Sequence, residues 1–160
     1  MAKVLVIFFD IGDTLGNAVV EGGRLARIDV YRFIPDVLAR LRAGDEGISV
    51  SLGLISNTGD ETAERMNQVL TDAGLSGLVE PHLCLFSSVE GLDKSQPAFF
   101  KLARERAAVP VAHCLFVGES AAERAVATSV GFRVSPHPLH VLHLVESEFF
   151  AGPRPLLGKE

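Results

Sequence analysis

The chain has 160 residues, 48% hydrophobic and 22% charged, with a formal net charge of −5 and a pI near 5.5. Such a chain forms one globular domain with enough core to fold without staples, which excludes an intrinsically disordered class. The acidic balance gives no nucleic-acid footprint, and no apolar run reaches the roughly 20 residues of a membrane span.

Residues 3–9 (KVLVIFF) are a continuous apolar run rich in β-formers, as in a central parallel strand covered on both faces. Gly16, Gly22 and Gly23 around "NAVV" predict a short hairpin or loop over 16–29. Ile34, Val37, Leu38 and Leu41 make a helical stripe, and "ISVSLGLIS" (48–56) is the second strand. Thr58-Gly59-Asp60-Glu61 fits a capping box for a helix that buries Ala63, Met66, Val69 and Leu70 and stops at Gly74. "HLCLFSS" (82–88) is the third strand, and Pro97 opens a helix with Phe99, Phe100 and Ala103 inward. "AHCLFVG" (112–118) is the fourth strand, Ser120 opens the next helix, and Gly131 closes it. "FRV" is a short fifth strand, followed by a helix over 138–146. His137, His140 and His143 lie on its outer face, with Leu139, Leu142 and Val145 buried.

The regular alternation of strand and helix predicts an α/β fold: a three-layer Rossmann-like sandwich on a mainly parallel five-stranded sheet with right-handed crossovers. Residues 1–146 form the core domain and 147–160 a tail. Cys84 and Cys114 sit in apolar runs without zinc spacing, as buried thiols do. The opening "MAKVLVIFF" lacks a signal-peptide cleavage region, so a cytoplasmic location is expected. Arg24, Arg27, Arg32, Arg40 and Arg42 are close in sequence and read as solvated helix and loop residues.

In such sheets ligands bind beyond the carboxyl ends of the strands. The first strand is followed by Asp10, Gly12, Asp13 and Thr14, and the second ends in Ser56, Asn57 and Thr58. Lys94 comes between the third strand and its helix, and Gly118, Glu119, Ser120 and Glu123 follow the fourth. One such polar residue is a cap or a turn former. Carboxylates, a hydroxyl, an amide and an ammonium group converging on one rim suggest a site. Ser120-Ala121-Ala122-Glu123 is also a capping box, and the two roles of Glu123 are compatible.

These segments, in this order, resemble the four motifs of the haloacid dehalogenase (HAD) superfamily, mostly phosphohydrolases. "FFDIGDTLG" resembles Asp-x-Asp-x-Thr-Leu, and "LGLISNT" resembles the apolar strand ending in Ser or Thr. "KSQPAFF" is similar to Lys-Pro-x-Pro-x-x-Phe with Ser95 for the first proline, and "LFVGESAAERAVATSVGFRV" to Val-Gly-Asp-x-x-x-Asp. The resemblance implies that Asp10 attacks phosphorus to form an aspartyl-phosphate. It implies a magnesium ion (Mg2+) held by Asp10, the Gly12 carbonyl and the fourth-motif acids Glu119 and Glu123. It also implies phosphate contacts from Thr14, Ser56, Asn57 and Lys94.

Two positions depart from the pattern. Gly12 stands where phosphatases of the superfamily carry the general acid/base, and Asp13 next door is the candidate substitute. Glu119 replaces an aspartate, which moves its carboxylate by about 1.5 Å, and Mg2+ tolerates displacement poorly. The dehalogenase branch also lacks the second aspartate but carries a sizeable cap. Here the spans from Thr14 to Ser56 and from Ser56 to Lys94 are filled by core elements, with no room for a full cap. An open site suits a large phosphorylated substrate, and an oligomer is left open. The expectation is a weak or specialised phosphatase-like hydrolase. The alternative is a degenerate module of the same fold used for binding, assembly or regulation. A response-regulator receiver uses similar groups, but its phosphorylated aspartate comes later in the chain.

Overall fold

The structure, a computed structural model, describes residues 3–151. The "GPRPLL" segment of the expected tail lies outside them. Five strands make one sheet: β1 (Lys3–Phe9), β4 (Ile48–Ser56), β5 (Cys84–Phe86), β6 (Cys114–Val117) and β7 (Arg133–Ser135). Their order is β5-β4-β1-β6-β7, and every pairing is parallel. β1 is central. It pairs along its whole length with β4, from Lys3↔Ile48 to Phe9↔Leu54, and with β6 from Val6↔Cys114 to Phe9↔Val117.

Because side chains alternate across a strand, β1 feeds two cores. Leu5, Ile7 and Phe9 join Val37, Leu38 and Leu41 of α1 (Ile34–Ala43), Met66 and Val69 of α2 (Ala63–Asp72), and Val141 and Val145 of α6 (Pro138–Glu148). Val6 and Phe8 face the other way. They pack with Phe99, Phe100 and Ala103 of α4 (Pro97–Ala107) and Ala127 and Val130 of α5 (Ala121–Val130). This is the three-layer α/β sandwich that the strand–helix alternation predicts. The chain works outward from β1 through β4 to β5, then returns to β6 on the other flank. The strand order therefore reverses between β1 and β6, where a crevice opens at the carboxyl ends.

Residues 16–30 form a well-made hairpin. β2 (Gly16–Glu21) and β3 (Arg24–Val30) are antiparallel and joined by Gly22 and Gly23, both at positive φ as a two-residue type I′ turn requires. Two expected strands are shorter than their apolar runs. A 3₁₀ turn led by Pro81 precedes β5, and the four-residue α3 (Ser87–Glu90) follows it. Another 3₁₀ turn, Val111–His113, precedes β6. β5 is an edge strand paired with β4 at three positions only, so little ladder exists to extend it.

The helix starts also shift. Thr62, rather than Thr58, caps α2 and accepts from the Arg65 amide (3.1 Å). Glu61 points away from the cap, toward the hairpin. α6 runs to Glu148, beyond the expected 146, and Phe150 is buried in the first core. Leu139 is exposed, and Pro138, Val141, Leu142 and Val145 make the buried side of that helix. His137 caps α6 and stacks on Phe33, and His140 bonds the Ser135 hydroxyl (2.8 Å). The arginine group disperses into separate partnerships. Arg24 pairs with Glu61, Arg27 with Asp29, and Arg40, only 19% exposed, with Glu146. Arg40 is thus largely buried rather than solvated. No helix among the described residues is long and apolar enough to cross a membrane.

Candidate active site

A cleft of about 350 Å³ opens beyond the carboxyl ends of β1 and β4, with Glu123 from the segment after β6 on its margin. Its floor is polar. Asp10 follows the last residue of β1, and its amide bonds the Val117 carbonyl of β6 (2.9 Å), which fixes the strand end. Gly118 stands opposite. A Cβ there would come within 2.8 Å of the Phe116 ring, so a side chain at this position would have to push that ring out of the second core.

Lys94 reaches the same floor from the loop before α4. Its amide donates to Asn57 Oδ1 (3.0 Å). The next turn is pinned where Asp93 accepts from the Ser95 amide (2.8 Å) and hydroxyl, hydrogen bonds that hold the Asp93 carboxyl below its usual range. Pro97 then starts α4. The Lys94 ammonium is hydrogen-bonded to Asp10 Oδ1 and lies 3.0 Å from Glu123 Oε1. Lys94 is only 3% exposed and Asp10 6%. A buried ammonium between two carboxylates meets the requirement that buried charges be paired.

Ser56, at the end of β4, is buried and lines the cleft, as do Asn57 and Thr58. Thr58 is held by two serines that the sequence reading passed over. Its amide donates to Ser87 Oγ (2.8 Å), and its hydroxyl shares a 2.6 Å bond with Ser88. Glu123 enters from the first turn of α5. Ser120 caps that helix by accepting from the Glu123 amide (3.3 Å), so one half of the capping box forms while the Glu123 side chain turns to Lys94.

Three expected site residues stand elsewhere. Thr14 is buried outside the cleft lining, with Oγ1 3.5 Å from Asp10 Oδ2, where it orients that carboxylate. Asp13 is exposed and outside the lining, in a tight turn at φ +63, where Thr14 and Leu15 amides both bond the Ile11 carbonyl. Its shift by one residue carries the side chain away from the floor. Glu119 is also exposed and outside the lining, while Arg124 ties the adjacent Gly118 carbonyl (2.8 Å). Gly12 does line the cleft. A Cβ there would meet only Ala18, at 4.0 Å, so an acid at this position has room.

Among the described residues no cluster of three or more His, Cys, Asp or Glu side chains stands ready for a cation. Magnesium, however, often takes one or two protein carboxylates and completes its shell with substrate and water. Asp10, the Gly12 backbone and Glu123 share the lining, and Glu123 Oε1 is buried without a hydrogen bond of good geometry. That donor set fits such sparse ligation.

The hairpin supplies the other wall, which the sequence reading left unassigned. Ala18, Val20, Gly23 and Leu25 line it, continued by Met66 of α2. The Gly22-Gly23 pair between "NAVV" and "RLARIDV" is the sequence signal for this hairpin. The wall is clasped to the start of α2. Glu61 accepts from Arg24 (2.9 and 3.3 Å) and from the Leu25 amide (3.1 Å), and Arg65 donates to the Leu25 carbonyl (2.7 Å). The Arg24 hydrogen bond, seconded by the Leu25 amide, holds the Glu61 carboxyl below its usual range.

No protein-family model matches the sequence, and no curated protein does either. Solved structures do share the architecture. An uncharacterized protein of Corynebacterium glutamicum superposes with a TM-score of 0.63 at 19% identity, over 93% of this chain and 98% of that one. A HAD-superfamily hydrolase of subfamily IA from Geobacter sulfurreducens gives 0.56 at 18% identity, over 72% of this chain and 56% of its own. L-2-haloacid dehalogenase from Xanthobacter autotrophicus gives 0.56 at 19% identity, over 79% and 49%. This chain therefore spans only about half the length of those two enzymes, and what it shares with them is the fold.

Proposed function

We propose that this chain, which carries the fold of the HAD-superfamily hydrolases, is a slow, magnesium-assisted phosphatase-like hydrolase with Asp10 as nucleophile. The observation that carries this reading is the buried Lys94 ammonium set between Asp10 and Glu123 at the switch of the sheet, with Ser56 and Asn57 beside it. A doubly negative phosphate monoester repels a carboxylate unless cations intervene. Lys94 supplies one beside the nucleophile, and the Thr14 hydroxyl lies 3.5 Å from the other carboxylate oxygen. Asp10, the Gly12 carbonyl and Glu123 would hold Mg2+, which adds charge neutralisation at the phosphoryl oxygens. Glu119 would reach it only by turning inward.

In the first step an Asp10 oxygen bonds phosphorus as the ester P–O bond breaks, and the electron pair leaves on the ester oxygen. Water then attacks phosphorus, inorganic phosphate departs with the water-derived oxygen, and the carboxylate returns. Ser56 and the nearby amides donate to the phosphoryl oxygens. Gly12 has no proton to give, and a positioned acid/base contributes about 10²–10⁴ in rate. Slowness follows from that vacant role. An open cleft, without a separate cap domain among the described residues, suits this chemistry better than a dehalogenation that requires water to be excluded.

The test pairs turnover with a binding readout. The protein with Mg2+ is expected to hydrolyse activated phosphate esters, to lose that activity as Asp10→Asn, and to gain thermal stability with beryllofluoride. Absence of both turnover and beryllofluoride stabilisation would instead identify a non-catalytic module of this fold.

A further inference from the structure

Two features of the cleft bear on which ester it takes. The first is the wall opposite Asp10. Ala18, Val20, Leu25 and Met66 form an apolar surface continuous with the polar floor. Val20 is 61% exposed, a large apolar side chain left open to solvent beside the site. The second is the state of every acid near the floor. Position 12 is glycine, and Asp13 stands outside the lining. Glu123 is engaged by Lys94, and Glu61 by Arg24 and the Leu25 amide. Asp60 is exposed in the lining beside Glu61, close enough to Arg24 to act on its charge, and Glu119 is exposed outside the lining. With no acid at position 12 and Glu123 engaged by Lys94, the floor offers the departing oxygen no positioned proton donor among the described residues, so it leaves as an anion.

This selects the ester. An alkoxide is about as basic as hydroxide, whose parent water has a pKa of about 15.7, whereas a phenol ionises near 10. Resting on the aspartyl-phosphate reading, we infer that the cleft is built for aryl phosphate monoesters. The phosphoryl group sits at Asp10, Lys94 and Ser56, and the aromatic ring lies against Ala18, Val20, Leu25 and Met66. Attack by Asp10 forms the new P–O bond as the aryl P–O bond breaks. The pair leaves on the phenolate oxygen, which then takes a proton from water. The volume of about 350 Å³ holds one ring with small substituents. Among the described residues Lys94 is the one cation in the lining, against Asp10, Asp60, Glu61 and Glu123, so a second phosphate finds no partner there and nucleotides are disfavoured.

The experiment uses the full chain with Mg2+. Rates for para-nitrophenyl, phenyl and para-methoxyphenyl phosphate should fall with the basicity of the leaving group. Benzyl phosphate, of similar size but with an alkoxide leaving group, should be at least about 100-fold slower than phenyl phosphate. Gly12→Asp should narrow that gap by restoring an acid. In a binding arm free of turnover, phenylphosphonate should bind about tenfold more tightly than methylphosphonate, and Val20→Ser or Leu25→Ser should shrink that ratio. Val20 is exposed enough for its variant to fold. Equal rates for phenyl and benzyl phosphate, or equal affinities for the two phosphonates, overturn the aryl assignment while leaving the phosphatase reading standing. Failure of both phosphonates to bind, with no turnover of any ester, overturns both.

Discussion

Lys94 sets the electrostatics of the cleft, because its ammonium is the counter-charge to two carboxylates that reach the same floor from β1 and α5. Its side chain is 4% exposed and that of Asp10 9%, so neither ion has water to fall back on. Removing one partner of a buried pair leaves the other uncompensated and costs about 3–5 kcal/mol. Lys94→Met keeps the shape of the stem and removes only the charge. It is expected to lower stability by that amount, a fall in Tm of roughly 6–20 °C for a domain of this size, and to abolish turnover. Glu123→Gln added to Lys94→Met should recover part of the loss by removing one of the two stranded charges. Calorimetry checks both. A single-variant loss below about 1 kcal/mol would mean that the pair is screened as a surface pair is. The side chains on the floor were legible in sequence because each follows a strand end. Asp13 was legible in part, since a one-residue shift past a strand end turns the side chain away, whereas the exposure of Glu119 is decided by local backbone geometry rather than by residue type.

The β2–β3 hairpin is the element that turns a rim of polar groups into a cleft. A two-stranded ribbon is marginal by itself, so its position depends on what it is fastened to. The fastening is Glu61 on Arg24 and the Leu25 amide, with Arg65 on the Leu25 carbonyl. Ile28, buried in the first core, and Val30, packed against it, anchor the base of the hairpin, whereas these polar contacts fasten the end that carries Arg24 and Leu25. The sign of its pH dependence follows from Glu61, whose carboxyl is held below its ordinary 4.5 by the Arg24 hydrogen bond first and the Leu25 amide second. Because the folded value is depressed, the clasp contributes fully above the ordinary value and is lost as pH falls through the lowered one. The Leu25 amide proton resonance should therefore titrate in that acidic window while amides of β1 stay fixed. Glu61→Gln should remove the titration and loosen the hairpin at neutral pH. A Leu25 amide that is insensitive to acid in the unsubstituted chain would refute the clasp. Sequence periodicity located the helices and the central strands because each buries a long apolar face. It misplaced the cap of α2, since Thr58-x-x-Glu61 fits a capping box, and partners distant in sequence take both ends of it: Arg24 and the Leu25 amide hold Glu61, and Ser88 holds the Thr58 hydroxyl.

At the scale of the whole molecule, one sheet divides two cores, and its two thiols report on different parts of it. Cys84 begins the edge strand β5, paired only with β4, and is half-buried. Cys114 begins β6 beside the central strand, opposite Val6, and is wholly buried. Burial pushes both thiols up to about 11. At pH 8 about a thousandth of either is thiolate, so modification depends on opening events that rehydrate it. Opening an edge of three paired residues costs less than exposing the centre of the sheet, where β1, β6 and the Phe100–Phe116 contact must part together. Cys84 should therefore react with a thiol reagent through local opening, at a rate nearly independent of low urea. Cys114 should react only through global unfolding, with a urea dependence equal to that of the equilibrium transition. Mass spectrometry of single-cysteine variants, Cys84→Ser and Cys114→Ser, separates the two rates. Equal rates in native buffer would mean that the sheet opens as one unit from edge to centre, and that β1 gives Asp10 no firmer seat than β5 gives the serines behind Thr58.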